Sequence, residues 1–415
     1  MAQAPQLPIV QLAQPRIVVL GAGFAGLQVV RSLRHVKAEI LLVDRHSYHT
    51  FVPLLYQVAT AILPPQAIAY PIIEALRGHK NTQFLVTEIR EINFTAQQVD
   101  TENGSIPYDY LVIATGSQSE FFQVPGAQDY GFPLRNLQHA LRFHQHFLQT
   151  IERIQREANP QPLEIAIVGG GATGVELAGS LAELGRRPPP WLGGVRVQIY
   201  LIQGGASLLP DFAPRLRQYT LKRLQQLGVT VLLNHRVVQV SETRLELMNG
   251  CVIETSTVLW AAGVRAALPL MSPPAQTVGR KKLPVDPTLQ WQGAENVYVI
   301  GDSAWLKQTR GLAPEALQQG RKVAENLQRQ LQGKAPKPFH YFNKGRMAII
   351  EAKSAIAEIG PIKLTGWFPW LLWLIIHWFY LPGAWPRGVV LVSWWQTYGR
   401  GRRFLSQRLF FHPRD

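Results

Sequence analysis

The sequence predicts an α/β protein of two similar parallel-sheet domains followed by a helical C-terminal tail. Three observations carry this reading: a glycine-rich turn between an apolar run and a helical pattern near residue 21, a second such turn near residue 169, and an aromatic apolar stretch from Trp367 onward. Two copies of one turn unit in a chain specify a repeated architecture far more strongly than either does alone.

In the first copy, Pro15-Arg16-Ile17-Val18-Val19-Leu20 enters Gly21-Ala22-Gly23-Phe24-Ala25-Gly26, a helical pattern follows, and Leu41-Leu42-Val43 ends in Asp44. This is the Rossmann-type dinucleotide-binding fingerprint. Gly21 permits the turn, Gly23 clears the backbone's approach to a pyrophosphate, and Gly26 lets the helix lie close on the strand. The helix N-terminus then offers N–H groups and a positive dipole to the phosphates. Asp44 accepts hydrogen bonds from ribose hydroxyls, and Arg45 beside it joins the candidate cofactor contacts.

The totals set bounds. A chain of 415 residues with 47% hydrophobic content fills two or three domains with real cores. Its formal charge of +15 points to an anionic partner: a nucleotide cofactor, an acidic membrane surface or nucleic acid. No zinc-ligand cluster, RNA-binding motif or helix-turn-helix signature accompanies the charge, which leaves nucleic acid the least supported of the three. The single cysteine, Cys251, forms neither an internal disulfide nor a redox pair, which excludes dithiol flavin reductases and cysteine-dependent sulfide oxidation. Met1 to Gln14 carry no cationic cluster and no long apolar core, so no secretory signal is expected there.

Between the two fingerprints, Phe51 to Ala59 reads as a loop and short helix, framed by Pro64-Pro65. His46 and His49 read as loop histidines, without a third ligand at metal spacing. Gln98-Val99-Asp100 and Ser105-Ile106-Pro107 flank Asn103-Gly104, a hairpin signal. Tyr108-Asp109-Tyr110-Leu111-Val112-Ile113 returns a buried strand to the small-residue turn Ala114-Thr115-Gly116, which leaves room beside a bound dinucleotide. Leu137 to Arg156 repeats apolar positions at helical spacing until Asn159-Pro160 breaks it.

The second copy runs through Leu163-Glu164-Ile165-Ala166-Ile167-Val168 into Gly169-Gly170-Gly171-Ala172-Thr173-Gly174-Val175-Glu176. Its next strand, Val195 to Ile202, ends in Gln203 where an acid would select free ribose hydroxyls. A neutral amide removes repulsion toward a 2′-phosphate, so NADPH is tolerated or preferred. No arginine follows at once; Arg186, Arg187 and Arg215 are candidate cations. Trp260-Ala261-Ala262-Gly263 repeats the strand-to-small-turn logic. Further on, Val297-Tyr298-Val299-Ile300 ends in Gly301-Asp302, placing a carboxylate for ribityl hydroxyls. A helix with Pro314 in its first turn follows, and its N-terminal dipole favours a reduced, anionic flavin.

Taken together these residues resemble the two-dinucleotide, glutathione-reductase-like flavoproteins, and most closely the type II NAD(P)H dehydrogenases, single-subunit NAD(P)H:quinone oxidoreductases that do not pump protons. The resemblance covers the chain to about Gly333, and its most discriminating piece is Pro53-Leu54-Leu55-Tyr56-Gln57. It implies FAD contacts at Gly21, Gly23, Gly26, Asp44, Ala114, Thr115, Gly116, Gly301 and Asp302. It implies nicotinamide-nucleotide contacts at Gly169, Gly171, Gly174 and Gly263, with Gln203 at the specificity position. Glu176 matches a family glutamate near the nicotinamide and quinone end of the flavin, and Gln318 and Gln319 match a quinone-site helix motif. Pro314 replaces that motif's usual first glutamine. The Gln203 and Pro314 departures resemble the cyanobacterial and plastid branch, which implies plastoquinone or the demethylnaphthoquinone precursor of phylloquinone as acceptor.

In the tail, Phe368 to Leu381 is apolar and aromatic but shorter than the roughly twenty residues a membrane span needs. Trp394 and Trp395 follow, then Arg400, Arg402, Arg403 and Arg408. Aromatic helices beside an arginine cluster suit a monotopic anchor on anionic lipid, on the cytoplasmic face of a bacterial plasma or thylakoid membrane. The same stripe also fits a core helix or a homodimer interface.

The sequence thus divides into an FAD-binding domain at residues 1–135 and 275–340, an NAD(P)H-binding domain at 136–274 and a membrane-anchoring region at 341–415. The expected catalytic groups are Glu176, Gln318 and Gln319, with no metal. The competing readings are a soluble flavoprotein reductase with a protein acceptor and a non-enzymatic flavin redox sensor.

Overall fold

The computed structural model describes residues 14–158, 161–307 and 311–401. Residues 1–13 of the leader reading, the Asn159-Pro160 break, and Arg402, Arg403 and Arg408 lie outside the described residues.

The elements that carry the sites are, in chain order, β1 (Arg16–Leu20), α1 (Phe24–Ser32), β2 (Glu39–Asp44), α2 (Leu55–Ala59), β3 (Thr82–Val86) and β4 (Tyr110–Ile113). Next come β5 (Gly131–Pro133), α3 (Leu137–Arg156), β6 (Leu163–Val168), α4 (Ala172–Arg186), β7 (Val197–Gln203), α5 (Pro214–Gln226), β8 (Val229–Leu233) and β9 (Val258–Trp260). The last of these elements are β10 (Ala294–Val299), α6 (Ala313–Leu331), β11 (Arg346–Glu351), β12 (Ser354–Ile359), β13 (Ile362–Gly366), α7 (Trp367–Tyr380) and α8 (Ala384–Trp394).

The chain forms two compact units. The first takes the residues up to His49, Pro71–Gln118 and Val264–Asn343; the second takes Thr50–Tyr70, Ser119–Gly263 and the residues from Lys344 on. In the first unit β10-β4-β1-β2-β3 form a parallel sheet, with the short strand Gln290–Trp291 antiparallel at one edge. In the second, β5-β9-β6-β7-β8 form a parallel sheet. Strand for strand, β4-β1-β2-β3 and β9-β6-β7-β8 have the same order, so the two fingerprints reflect a structural repeat.

Both sheets are read from their composition. Ile17 to Leu20 are all 0% exposed, because parallel strands covered on both faces lose the alternation of a half-solvated strand. The Asn103-Gly104 hairpin forms with Asp100 opposite Ser105 and Val99 opposite Ile106. Helix α3 spans Leu137–Arg156, opened by Asn136, whose side chain accepts from the His139 N–H at 2.8 Å.

The C-terminal residues add β11-β12-β13, an antiparallel sheet, and the helices α7 and α8 to the second unit. Gly179 of α4 meets the Ile350 carbonyl where any Cβ would collide, which brings β11 onto that helix. Trp373 of α7 is 1% exposed, stacks on His377 at 3.8 Å and meets Tyr56 and Trp394. Trp373→Ala is therefore expected to cost about 3–5 kcal/mol, read as a lowered Tm in thermal unfolding.

Candidate functional site

In the first unit the turn from β1 to α1 is held open by its glycines. Gly21 adopts φ +99°, a Cβ on it would run into the Ala114 carbonyl, and a Cβ on Gly26 would strike the Gly21 carbonyl. A Cβ on Gly23 would meet nothing within 4 Å, which leaves an open space over the N-terminus of α1 where a pyrophosphate fits. Asp44 Oδ2 accepts from the Ala22 N–H at 2.6 Å and Oδ1 from the His46 N–H at 2.8 Å. Burial raises its pKa, but the hydrogen bonds from His46 and Ala22 outweigh that and hold the carboxyl below its ordinary range. Arg45 pairs with Glu88 at 3.8 Å, both side chains more than half exposed, a contact of little energetic weight. His49 is buried under the turn, its Nδ1 2.9 Å from the Ala22 carbonyl and its ring edge-on to Phe24; burial lowers its pKa to about 4, so the ring is neutral.

The small-residue turns assemble beside it. Thr115 Oγ1 lies 3.1 Å from Ser303 Oγ, Ser303 donates to the Gly116 carbonyl at 3.3 Å, and Ser117 donates to Asp302 Oδ2 at 2.5 Å. No Cβ contact closes the space at Gly116. Gln319 is 1% exposed, and its Oε1 accepts from the Gly301 N–H at 2.6 Å, fixing the loop that carries Asp302. Gln318 exchanges two hydrogen bonds of 2.9 Å with the Phe342 backbone. Gly320 allows α6 to pack on α1, where a Cβ would stand 2.6 Å from the Ala25 carbonyl. The first turn of α6 holds Glu315, which accepts from the Gly311 N–H at 2.9 Å.

The second unit repeats the arrangement with different chemistry. Gly169 has φ +114°, a Cβ on it would stand 2.7 Å from the Ala262 nitrogen, and a Cβ on Gly174 would strike the Gly169 carbonyl. Gly171, like Gly23, faces open space. Gln203 Oε1 accepts from the Gly170 N–H at 2.9 Å, the bond that Asp44 makes in the first unit. Gly263 has φ +68°, and its carbonyl accepts from the Glu120 N–H at 3.3 Å.

Glu176 lies in the second turn of α4, with Ser180 and Glu183 on the same face. Burial raises its carboxyl to about 8, against a lowering hydrogen bond from the Ile349 backbone, so it stays protonated at neutral pH. It lines a cavity of about 10 Å³ with Tyr56, Ser180, Glu183 and Tyr398, space for a single water. Gln57 is fully buried beside it: its Oε1 accepts from Trp394 Nε1 at 2.8 Å and its Nε2 donates to the Tyr56 and Tyr398 hydroxyls at 2.9 and 3.4 Å. Tyr398 also lines an apolar groove of about 560 Å³ between α7 and α8, walled by Trp370, Leu374, Trp378, Leu391 and Trp395.

Residues 15–320 match the family model described as pyridine nucleotide-disulphide oxidoreductase. A type II NADH:quinone oxidoreductase of Mycobacterium tuberculosis is 32% identical over 94% of this chain and 90% of its own length. The chain belongs to this family. A type II NADH:quinone oxidoreductase of Staphylococcus haemolyticus is 30% identical over 86% of the chain and 92% of its own. The fold is similar to that of the solved structure of NDH2 from Plasmodium falciparum in complex with NADH, with a TM-score of 0.86, 20% identity, and coverage of 94% of this chain and 100% of that one.

As a member of the type II NADH:quinone oxidoreductases, the chain is a flavoprotein that works with FAD and NAD(H). The residues present fit both groups: each glycine turn leaves an open cradle at a helix N-terminus, and Asp44, Ser117 and Asp302 offer acceptors and donors for a nucleotide's hydroxyls. Cys251, the only cysteine, is exposed, so no disulfide pair takes part. Among the described residues no group of three metal-ligating side chains occurs. In the sequence His49 reads as a loop histidine, and Ser117, Gln57 and Tyr398 do not stand out as site residues. Only Gln57 carried a signal, as part of the Pro53 to Gln57 run.

Proposed function

We propose that this type II NADH:quinone oxidoreductase holds FAD at Gly21, Gly23, Gly26, Asp44, Arg45, Ala114, Thr115, Gly116, Gly301 and Asp302. NADH or NADPH occupies Gly169, Gly171, Gly174, Gln203 and Gly263, and a lipid-soluble quinone takes the two electrons. Bound FAD supplies the two-electron chemistry, and the protein supplies orientation and electrostatics. Reduction of a quinone by NAD(P)H consumes one proton beyond the hydride. Glu176 is the group placed to give it, because its carboxyl is protonated near neutral pH and lies beside the Tyr56 and Tyr398 hydroxyls. The Gln318 amide is paired through both its oxygen and its nitrogen and the Gln319 carbonyl is committed to the Gly301 N–H, so both act as positioning residues, Gln319 through the Gly301 loop.

The observation that carries the quinone assignment is Tyr398, shared by the Glu176 cavity and the apolar groove. A prenylated ring in that groove would present its head to the protonated acid and leave its tail among tryptophans. Plastoquinone and a demethylnaphthoquinone are the proposed acceptors. Anaerobic reoxidation of the reduced enzyme by a plastoquinone analogue and by a naphthoquinone lacking the ring methyl tests this, with rapid recovery expected for one and slow recovery with both arguing for a protein acceptor.

The same reading places the protein on a membrane surface. Trp367, Leu371, Ile375 and Phe379 recur every fourth residue along α7 and are 40–65% exposed, and Trp385 and Leu391 on α8 and Trp395 just after it are exposed as well. Among the described residues no helix is long and apolar enough to cross a membrane. The buried side of α7 holds Trp373, so the exposed stripe is not needed for the core. Ile375→Asp with Phe379→Asp is expected to abolish sedimentation with phosphatidylglycerol vesicles while Tm stays within a few degrees; unchanged sedimentation would count against the anchor.

A further inference from the structure

We propose that the turn after β7 binds the 2′-phosphate of NADPH, with Arg236 as its cation and the Gln203 amide as its donor. This rests on the reading of the second unit as the nicotinamide-nucleotide unit. Because Gln203 Oε1 accepts from the Gly170 N–H at 2.9 Å, its carbonyl is committed to the fingerprint turn. Its Nε2 is left toward the turn, 3.2 Å from where a Cβ on Gly205 would stand. An amide held this way presents N–H donors beyond the end of β7. Asp44, its counterpart in the first unit, presents only acceptors.

The chain leaving β8 folds back over the same turn. The His235 N–H donates to the Gln203 carbonyl at 3.1 Å, the Asn234 N–H to the Gly205 carbonyl at 3.0 Å, and the Met248 N–H to the Arg236 carbonyl at 2.8 Å. These backbone bonds fix Arg236 over Gly204, its Cγ 3.4 Å and Nε 3.9 Å from a Cβ built there. Neither Gly204 nor Gly205 has a side chain to fill the space beside the guanidinium and the Gln203 amide. Arg236 is exposed and pairs with no acid among the described residues. A dianionic phosphate would receive the guanidinium fork and an amide N–H there, where a free ribose hydroxyl takes at most one of them.

Two of the sequence candidates, Arg186 and Arg187, are less well placed. Arg186 closes α4, fifteen residues from its fingerprint end, roughly 20 Å along the helix axis. Arg187 lies beyond it. Arg236 has no sequence signal because it follows β8, more than thirty residues after Gln203, and reaches the turn only through the parallel pairing of β7 with β8.

Titration calorimetry of the FAD-loaded protein with 2′,5′-ADP and 5′-AMP, which differ only in the 2′-phosphate, tests the site. The wild type is expected to bind 2′,5′-ADP about tenfold or more tightly, the size of a charge-assisted contact. Arg236→Ala removes most of that preference, and Gln203→Glu, which keeps an acceptor for the Gly170 N–H, reverses it. Equal affinity for the two ligands in the wild type, or a full preference retained in Arg236→Ala, overturns the 2′-phosphate site and leaves the nucleotide reading standing. Failure of both ligands to bind overturns both.

Discussion

Glu176→Gln is expected to slow quinone reduction by about a hundredfold, the lower end of what one positioned proton donor contributes, while reduction of the enzyme by NADH stays within about threefold. Glutamine keeps the volume and a donor for hydrogen bonding but has no proton to give. The wild type should lose activity as pH rises through about 8, where the carboxyl ionises, and the variant should lose that limb. Stability follows the same group. Its folded pKa is raised above its ordinary 4.5, so its stabilising contribution is complete below 4.5 and is lost as pH rises to about 8. Across that window the wild type's Tm should fall relative to that of Glu176→Gln. A pH-independent loss of both half-reactions would instead mark Glu176 as a structural residue.

Gly21→Val and Gly169→Val are expected to separate the two nucleotide sites. Each residue has a positive φ, and each Cβ would run into backbone: the Ala114 carbonyl for Gly21, the Ala262 nitrogen for Gly169. Strain and overpacking together cost on the order of 3 kcal/mol at either site. Gly21→Val should purify without FAD and be inactive with every donor. Gly169→Val should retain FAD, shown by its absorbance, yet be reduced by NADH at least about a hundredfold more slowly. Loss of FAD from both variants would show that the first glycine turn alone does not govern flavin binding.

The parts of the fold legible in the sequence are those where backbone geometry dictates residue type. Gly21, Gly26, Gly169 and Gly174 had to be glycine for turn and helix to close, so the fingerprints stood out from one chain alone, and Asn103-Gly104 did the same for its hairpin. Residues whose meaning depends on distant partners were not legible. Gln57 is a polar residue in an apolar run until Trp394, 337 residues away, donates to its carbonyl. Gln319 matches a quinone-site helix motif in the sequence, yet it is buried with its carbonyl accepting from the Gly301 N–H. Glu176 has the pattern of an acid in a helix's opening turns, and only the packing of β11 and α2 around α4 encloses it. His49 reads as a loop histidine, whereas the Ala22 carbonyl gives its ring a buried partner.

Electron transfer from nicotinamide nucleotide to quinone is measured by sequential rapid mixing under anaerobic conditions, following flavin absorbance as the FAD-loaded enzyme meets NADH or NADPH and then a short-chain quinone. Rapid bleaching with the nicotinamide nucleotide and rapid recovery on adding quinone are expected, the recovery alone slowed in Glu176→Gln. Bleaching without recovery by any quinone would contradict that expectation.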